Sequence, residues 1–147
     1  MMIAMGADHG GYSLKEILKK HLEEQGFQVM DLGTDSTQSC HYPVFAEKVA
    51  KAVAAKQADL GILVCGTGIG MSIAANKVKG IRAAAVSDCF TAQATREHND
   101  SNVLCLGERT VGPGLAMRIV DTWLSASFLG GRHQTRVDLI STLEENF

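Results

Sequence analysis

The feature that most constrains this chain is an alternation. Short apolar runs recur at Met2–Gly6, Phe27–Leu32, Leu60–Cys65, Ile81–Val86 and Val103–Leu106, and stretches of helical periodicity or loop separate each from the next. Runs that are apolar without a gap read as strands buried on both faces, which parallel sheets produce. Strand and helix in turn are the pattern of stacked βαβ units. The expected fold is therefore α/β, a three-layer α/β/α sandwich of Rossmann-like type with a five-stranded parallel sheet and a C-terminal helix. At 147 residues the chain suits one domain, residues 1–147, with one core.

The helices are legible by their faces. Leu14, Ile17, Leu18 and Leu22 share one side of the first, Ser13 with Glu16 has the form of a capping box, and Gly26 supplies a stop. His21, near that face, reads as a packing residue. The second helix starts at Pro43 and turns Ala46, Val49, Ala50 and Val53 inward. A third follows a glycine-rich turn over Met71–Asn76, and a fourth covers Phe90–Glu97. A fifth begins near Pro113 with Ala116, Ile119, Val120 and Trp123 inward, and Val137, Ile140 and Leu143 recur at helical spacing in the last.

Composition removes several classes of function. With 46% hydrophobic and 20% charged residues the chain is neither disordered nor membrane-like, and no apolar run approaches the ~20 residues of a spanning helix. The first apolar stretch is too short for a secretory signal, so the cytoplasm is the expected location. A net charge of -2 provides no basic field for nucleic acid, so any anion must be held by a local cluster. Cys40, Cys65, Cys89 and Cys105 form no Cys-x-x-Cys pair, which argues for reduced thiols and against a zinc site.

In open parallel sheets ligands gather beyond the carboxyl ends of the strands, so those ends carry the chemistry. The first strand runs into Asp8-His9-Gly10-Gly11, a carboxylate and an imidazole beside glycines that allow close approach; the same residues could equally begin a helix. The third ends in Cys65-Gly66-Thr67-Gly68-Ile69-Gly70 ahead of a helix, where several amides can converge on one anion. The spacing is neither the dinucleotide fingerprint nor a Walker loop. Asp31 and Asp35 lie around the end of the second strand, where a nucleotide-binding module would need an acidic residue, but the fingerprint glycines are missing from the first turn. Cys65 beside such amides would have its thiolate stabilised and could act as a base; taken alone it equally fits an inert core thiol. Arg96-Glu97-His98-Asn99-Asp100 ends the fourth helix, and Arg109 follows the fifth strand. Arg132 and Arg136 stand four apart, hence on one helical face, where two guanidinium forks can clamp a phosphate or lie on an ordinary surface.

Taken together, these segments resemble the ribose-5-phosphate isomerase B and galactose-6-phosphate isomerase family over essentially the whole chain. The resemblance rests on Gly6-Ala7-Asp8-His9-Gly10-Gly11-Tyr12, Tyr42-Pro43, Cys65 to Gly70 with Ser72-Ile73-Ala74-Ala75-Asn76-Lys77, Arg96 to Asp100, and Gly130-Gly131-Arg132-His133. It implies an aldose–ketose isomerase working on a sugar phosphate without metal or cofactor. It also implies a homodimer, in some members paired into a tetramer, with active sites shared between chains.

By the same resemblance Cys65 is the base that moves a proton between C1 and C2, with Thr67 beside it. The amides of Gly66, Thr67, Gly68, Ile69 and Gly70 hold the enediolate oxygen, and His98 assists ring opening. Asp8 and Asn99 bind hydroxyl groups; His9, Tyr42, Arg109, Arg132 and Arg136 belong to the substrate and phosphate contacts. Some members use a glutamate where this chain has Met71, so the chain resembles the cysteine type. Ser36–His41, with Cys40, falls outside these motifs. The expected reaction is ribose 5-phosphate to ribulose 5-phosphate. The alternatives are a six-carbon substrate such as allose or galactose 6-phosphate, or a non-catalytic sugar-phosphate sensor on the same fold.

Overall fold

The computed structural model describes residues 1–147. Its elements, in chain order, are β1 (Met2–Ala7), α1 (Tyr12–Glu24), β2 (Gln28–Asp31), α2 (Tyr42–Ala54), β3 (Leu60–Cys65) and α3 (Ile69–Ala75). They continue with β4 (Ala83–Ala85), α4 (Cys89–Asn99), β5 (Val103–Gly107), α5 (Pro113–Ser125) and α6 (Arg132–Glu144). All strand pairs are parallel, in the order β2-β1-β3-β5-β4. The five-stranded sheet and its helical layers are those the alternation predicted.

Side-chain parity builds a core on each face of the sheet. Ile3, Met5, Ile62, Val64, Leu104 and Leu106 meet α1, α4 and α5. Ala4, Leu63, Cys65, Val103 and Cys105 meet α2 and α3. Alternate residues of one strand point to opposite faces, so continuous apolarity is what a sheet covered twice requires. Trp123 is fully buried, with its indole N–H donating to Ser101 Oγ at 2.9 Å. No helix is long and apolar enough to cross a membrane.

Several expectations are corrected. The Ser13–Glu16 capping box does not form: Ser13 lies inside α1, whose N-cap is Gly11. A Cβ on Gly11 would stand 2.3 Å from Val64 O, so only glycine lets the helix start this close to β3. The amide of Leu14 donates instead to Glu108 Oε1 at 2.7 Å, a cap supplied by the residue that follows β5. Ile17 lies exposed at the edge of the helix face, and the aliphatic stem of Lys15 is buried in its place. Its ammonium meets Asp31 at 2.8 Å and Thr34 O at 2.7 Å. β4 has shrunk to three residues because an edge strand has one partner only; Ile81 and Val86 remain buried as its flanks. α3 starts earlier than expected, at Ile69, and α4 spans Cys89–Asn99, capped by Asp88. Val137 of α6 is buried, but Ile140 and Leu143 are exposed, since this helix packs on α4 alone among the elements it touches substantially.

Candidate active site

The chain leaves β1 toward β2 on one side and leaves β3 toward β4 on the other. The loops after β1 and β3 therefore face one another at the topological switch point, where open α/β sheets bind ligands. They nearly touch: a Cβ on Gly10 would lie 3.4 Å from Gly66 N. Asp8, buried at this mouth, accepts the Gly10 amide on Oδ1 at 2.9 Å.

Cys65 is the last residue of β3, buried on the α2–α3 face. Gly68 has φ 80°, the left-handed region in which glycine pays no steric cost, and a Cβ there would collide with the Leu106 backbone at 2.9 Å. That bend returns the Gly68 amide to Cys65 Sγ, where it donates at 3.1 Å. The Ile69 amide donates to Thr67 Oγ1 at 3.2 Å. The amides of Gly66, Thr67 and Gly70 have no partner within the chain. Of the five backbone amides expected at an oxyanion, those of Gly68 and Ile69 are thus engaged inside the turn, and those of Gly66, Thr67 and Gly70 are open. Buried Cys105, beside Cys65 on the next strand, has its thiol pushed well up by burial and then by the neighbouring sulfur, so it is held as a neutral thiol.

Arg109 packs on this turn. Its amide donates to Gly66 O at 3.0 Å, and its guanidinium lies 3.4 Å from where a Gly66 Cβ would be. The ring of Tyr42, at the start of α2, crosses Gly70, leaving 2.8 Å to a Cβ placed there. His9 accepts the Cys40 amide on Nδ1 at 3.2 Å. The carboxyl edge of the sheet therefore gathers Asp8, His9, Tyr42, Cys65, Gly66, Thr67, Gly68, Ile69, Gly70 and Arg109.

The remaining candidates form a second group elsewhere. α4 runs from the exit of β4 to the entry of β5, which puts His98 and Asn99 at the amino edge. Asn102, just after them, accepts the Gly61 amide at 2.9 Å, and Arg82 donates to the carbonyls of Asn99 and Asp100. The turn before α6 is tied there by Leu129 N to Glu97 O at 3.1 Å, which brings in Arg132 and Arg136. From Gly61 to Cys65 is ~13 Å of strand at 3.3 Å per residue. The two groups do not meet within one chain.

In the second group Arg82 and Arg96 are matched by Asp100, whereas Arg132 and Arg136, like Arg109, are exposed and paired with no carboxylate. His133 belongs to the Gly130–His133 motif, which assigns it no chemical role. Its ring stacks on that of His98, centroids 4.4 Å apart and planes 14° from parallel. Burial, then the charges of His98, Arg132 and Arg136, push His133 below the ordinary imidazole pKa, with Glu97 opposing. Only the fold could reveal this pair, since the two residues lie on different helices. Asp31, the candidate ribose ligand of a nucleotide site, is occupied by Lys15 and Lys19.

Comparison with known proteins places the chain in a family. Residues 3–140 match the model of the ribose/galactose isomerase family. The chain is 52% identical over 143 residues to ribose-5-phosphate isomerase B of Escherichia coli, covering 97% of this chain and 96% of that one. It is 51% identical over 146 residues to a putative sugar phosphate isomerase of Bacillus subtilis, covering 99% and 98%. A solved ribose-5-phosphate isomerase B of Clostridium thermocellum superposes with a TM-score of 0.99 at 53% identity, over 99% of both chains. The Mycoplasma genitalium enzyme, solved with bound ribulose-5-phosphate, gives 0.94 at 45% identity over 99% of this chain and 97% of that one. On these grounds the chain belongs to the ribose/galactose isomerase family and is a sugar-phosphate isomerase.

Proposed function

We propose that the chain interconverts ribose 5-phosphate and ribulose 5-phosphate through an enediolate, at sites each assembled from two copies of the chain. One copy gives the carboxyl-edge group, with Cys65 as base. The other gives the amino-edge group, with His98 assisting ring opening, Asn99 on a hydroxyl, and Arg132 and Arg136 on the phosphate. The observation that carries this reading is the separation of the two groups. One has a thiol, open amides and the single unpaired guanidinium of Arg109; the other has the Arg132–Arg136 pair beside His98, so base and two-guanidinium clamp come together only when two copies meet.

The chemistry follows from the carboxyl-edge geometry. Once the furanose is open, Cys65 thiolate takes the C2 proton, the C–H electron pair becomes the C1–C2 double bond, and the carbonyl pair moves onto O1. The free amides of Gly66, Thr67 and Gly70 are placed to donate to that oxygen; a preorganised donor of this kind contributes ~3–4 kcal/mol. Cys65 returns its proton to C1 while the O2 hydroxyl proton passes to O1, leaving the ketone at C2. The phosphate, bound far from the reacting carbons, offsets the cost of holding the open chain in place.

Cys65→Ala should lower the rate by at least ~100-fold, the low end for a positioned general base, with the fold intact by circular dichroism. A folded variant of near wild-type rate would remove Cys65 from the mechanism. Rates on five- and six-carbon phosphates, measured side by side, test the substrate: the five-carbon phosphate should have the higher kcat/KM, and the reverse order would assign the six-carbon reaction.

A further inference from the structure

Ser36–His41, in the connection from β2 to α2, matches none of the motifs that placed the rest of the site, yet it meets one site loop itself and leads straight into Tyr42, which meets the other. The Cys40 amide donates to His9 Nδ1 at 3.2 Å, in the loop after β1. Two residues on, the Tyr42 ring lies across Gly70, in the turn after β3. The start of the same connection is fixed as well. Thr34 N donates to Ala7 O at 2.7 Å, and Lys15 Nζ donates to Thr34 O at 2.7 Å.

A backbone N–H can only donate. The nitrogen it meets must therefore offer a lone pair, and a neutral imidazole with its lone pair on Nδ1 carries its proton on Nε2. The Cys40 thiol stands 3.9 Å from the same nitrogen and crowds the same side of the ring. Nε2 has no partner within the chain. We propose that the Cys40 backbone amide is a positioning group that fixes His9 as the Nε2–H tautomer, so that His9 offers the sugar phosphate a hydrogen-bond donor and not a base.

The consequence is a division of labour at the carboxyl edge. With its Nδ1 lone pair occupied and its Nε2 protonated, neutral His9 has no free lone pair with which to compete with Cys65 for the C2 proton. It recognises an oxygen, hydroxyl or phosphate, and holds it. The identity of that ligand rests on the function proposed above; the tautomer does not.

Two measurements separate these parts. Long-range nitrogen–proton correlation of the nitrogen-labelled, ligand-free protein, recorded above the ordinary imidazole range, should give His9 an unprotonated Nδ1 and a protonated Nε2. A scalar coupling should cross from the Cys40 amide nitrogen to Nδ1. It should persist in Cys40→Ala, which keeps the amide, and vanish in Cys40→Pro, which lacks it. A His9 ring with its proton on Nδ1 overturns the proposal whatever the enzyme's substrate.

Kinetics on ribose 5-phosphate then test the donor. His9→Gln sets an amide N–H near the place of Nε2, and His9→Asn sets one near Nδ1. His9→Asn and His9→Ala should raise KM by roughly tenfold or more, the worth of one hydrogen bond to a charged or polar oxygen, with kcat changing less. His9→Gln should recover most of that loss. Equal losses in Gln and Asn, or a fall in kcat alone, would refute the donor role; no turnover in the wild type would instead refute the proposed function and leave the tautomer standing.

Discussion

If each active site takes one half from each of two chains, two dead variants mixed together must regain activity, and by a calculable amount. Consider Cys65→Ala, which removes the proposed base at the carboxyl edge, and His98→Asn, which removes the proposed ring-opening group at the amino edge. Each homodimer has two defective sites. A mixed dimer has one site with both defects and one with neither, because Cys65 and His98 of the same chain serve different sites. Equal amounts assembling at random give half mixed dimers, and half the sites of those are intact. The mixture should recover about one quarter of wild-type activity per chain.

The geometry sets this expectation. Cys65 closes β3, His98 lies beyond the residues that pair with its beginning, and the ~13 Å of strand between leaves no route for one chain's His98 to reach its own Cys65. The variants are co-expressed or co-refolded and assayed on cyclic ribose 5-phosphate against each homomer at equal concentration. A mixture no more active than its parents, with mixed dimers demonstrated by mass, would refute the two-chain site. Two copies of Cys65→Ala and Cys65→Ser provide the control, since both defects are in the same half and no intact site can form.

His133→Phe should keep the stack on His98 and His133→Ala should lose it, so the alanine variant should lose more activity on cyclic substrate than on an open-chain analogue; equal losses would argue against a positioning role. Burial and the neighbouring positive charges favour neutral His133 in the fold, while the unfolded chain protonates near pH 6.5. Folding stability attributable to this ring is therefore complete above that pH and lost as pH falls below it. Urea denaturation across that range should show a shallower acid decline in His133→Phe than in the wild type, and an identical slope would count against the assignment. Asp31 resists its own burial through hydrogen bonds from Lys15 and the Gly33 amide and the charge and hydrogen bond of Lys15 and Lys19, which together hold its carboxyl below the ordinary value. Its contribution is present above the unfolded carboxylate pKa of ~4 and lost as pH falls further. Lys15→Met should lower stability by about 1–3 kcal/mol at neutral pH and flatten that acid limb, because the Thr34 carbonyl loses its donor and Asp31 keeps only Lys19 and the Gly33 amide. A Lys15→Met midpoint in urea equal to the wild type would refute this account.

What the sequence made legible was local or periodic. The strands announced themselves because a parallel sheet covered on both faces demands continuous apolarity, and Cys65 to Gly70 announced a turn because the Gly68 conformation excludes most other residues. What stayed hidden was satisfied at long range. Nothing near Leu14 says that its amide is capped by Glu108, 94 residues away, and the local Ser13–Glu16 pattern pointed to a cap that does not form. Lys15 reads as a polar interruption of a helix face until Asp31 and Thr34 are folded against it. His133 acquires meaning only when α6 is laid on α4. The candidate site residues followed the same division. Motifs named most of them, but no motif could say that they fall into two groups at opposite edges of one sheet. That fact comes from topology alone: because the helix carrying His98 must deliver the chain to the entry of β5, its end is obliged to lie where Cys65 is not. If the two groups serve one substrate, as proposed, each chain carries two different half-sites, and each half is completed by another copy.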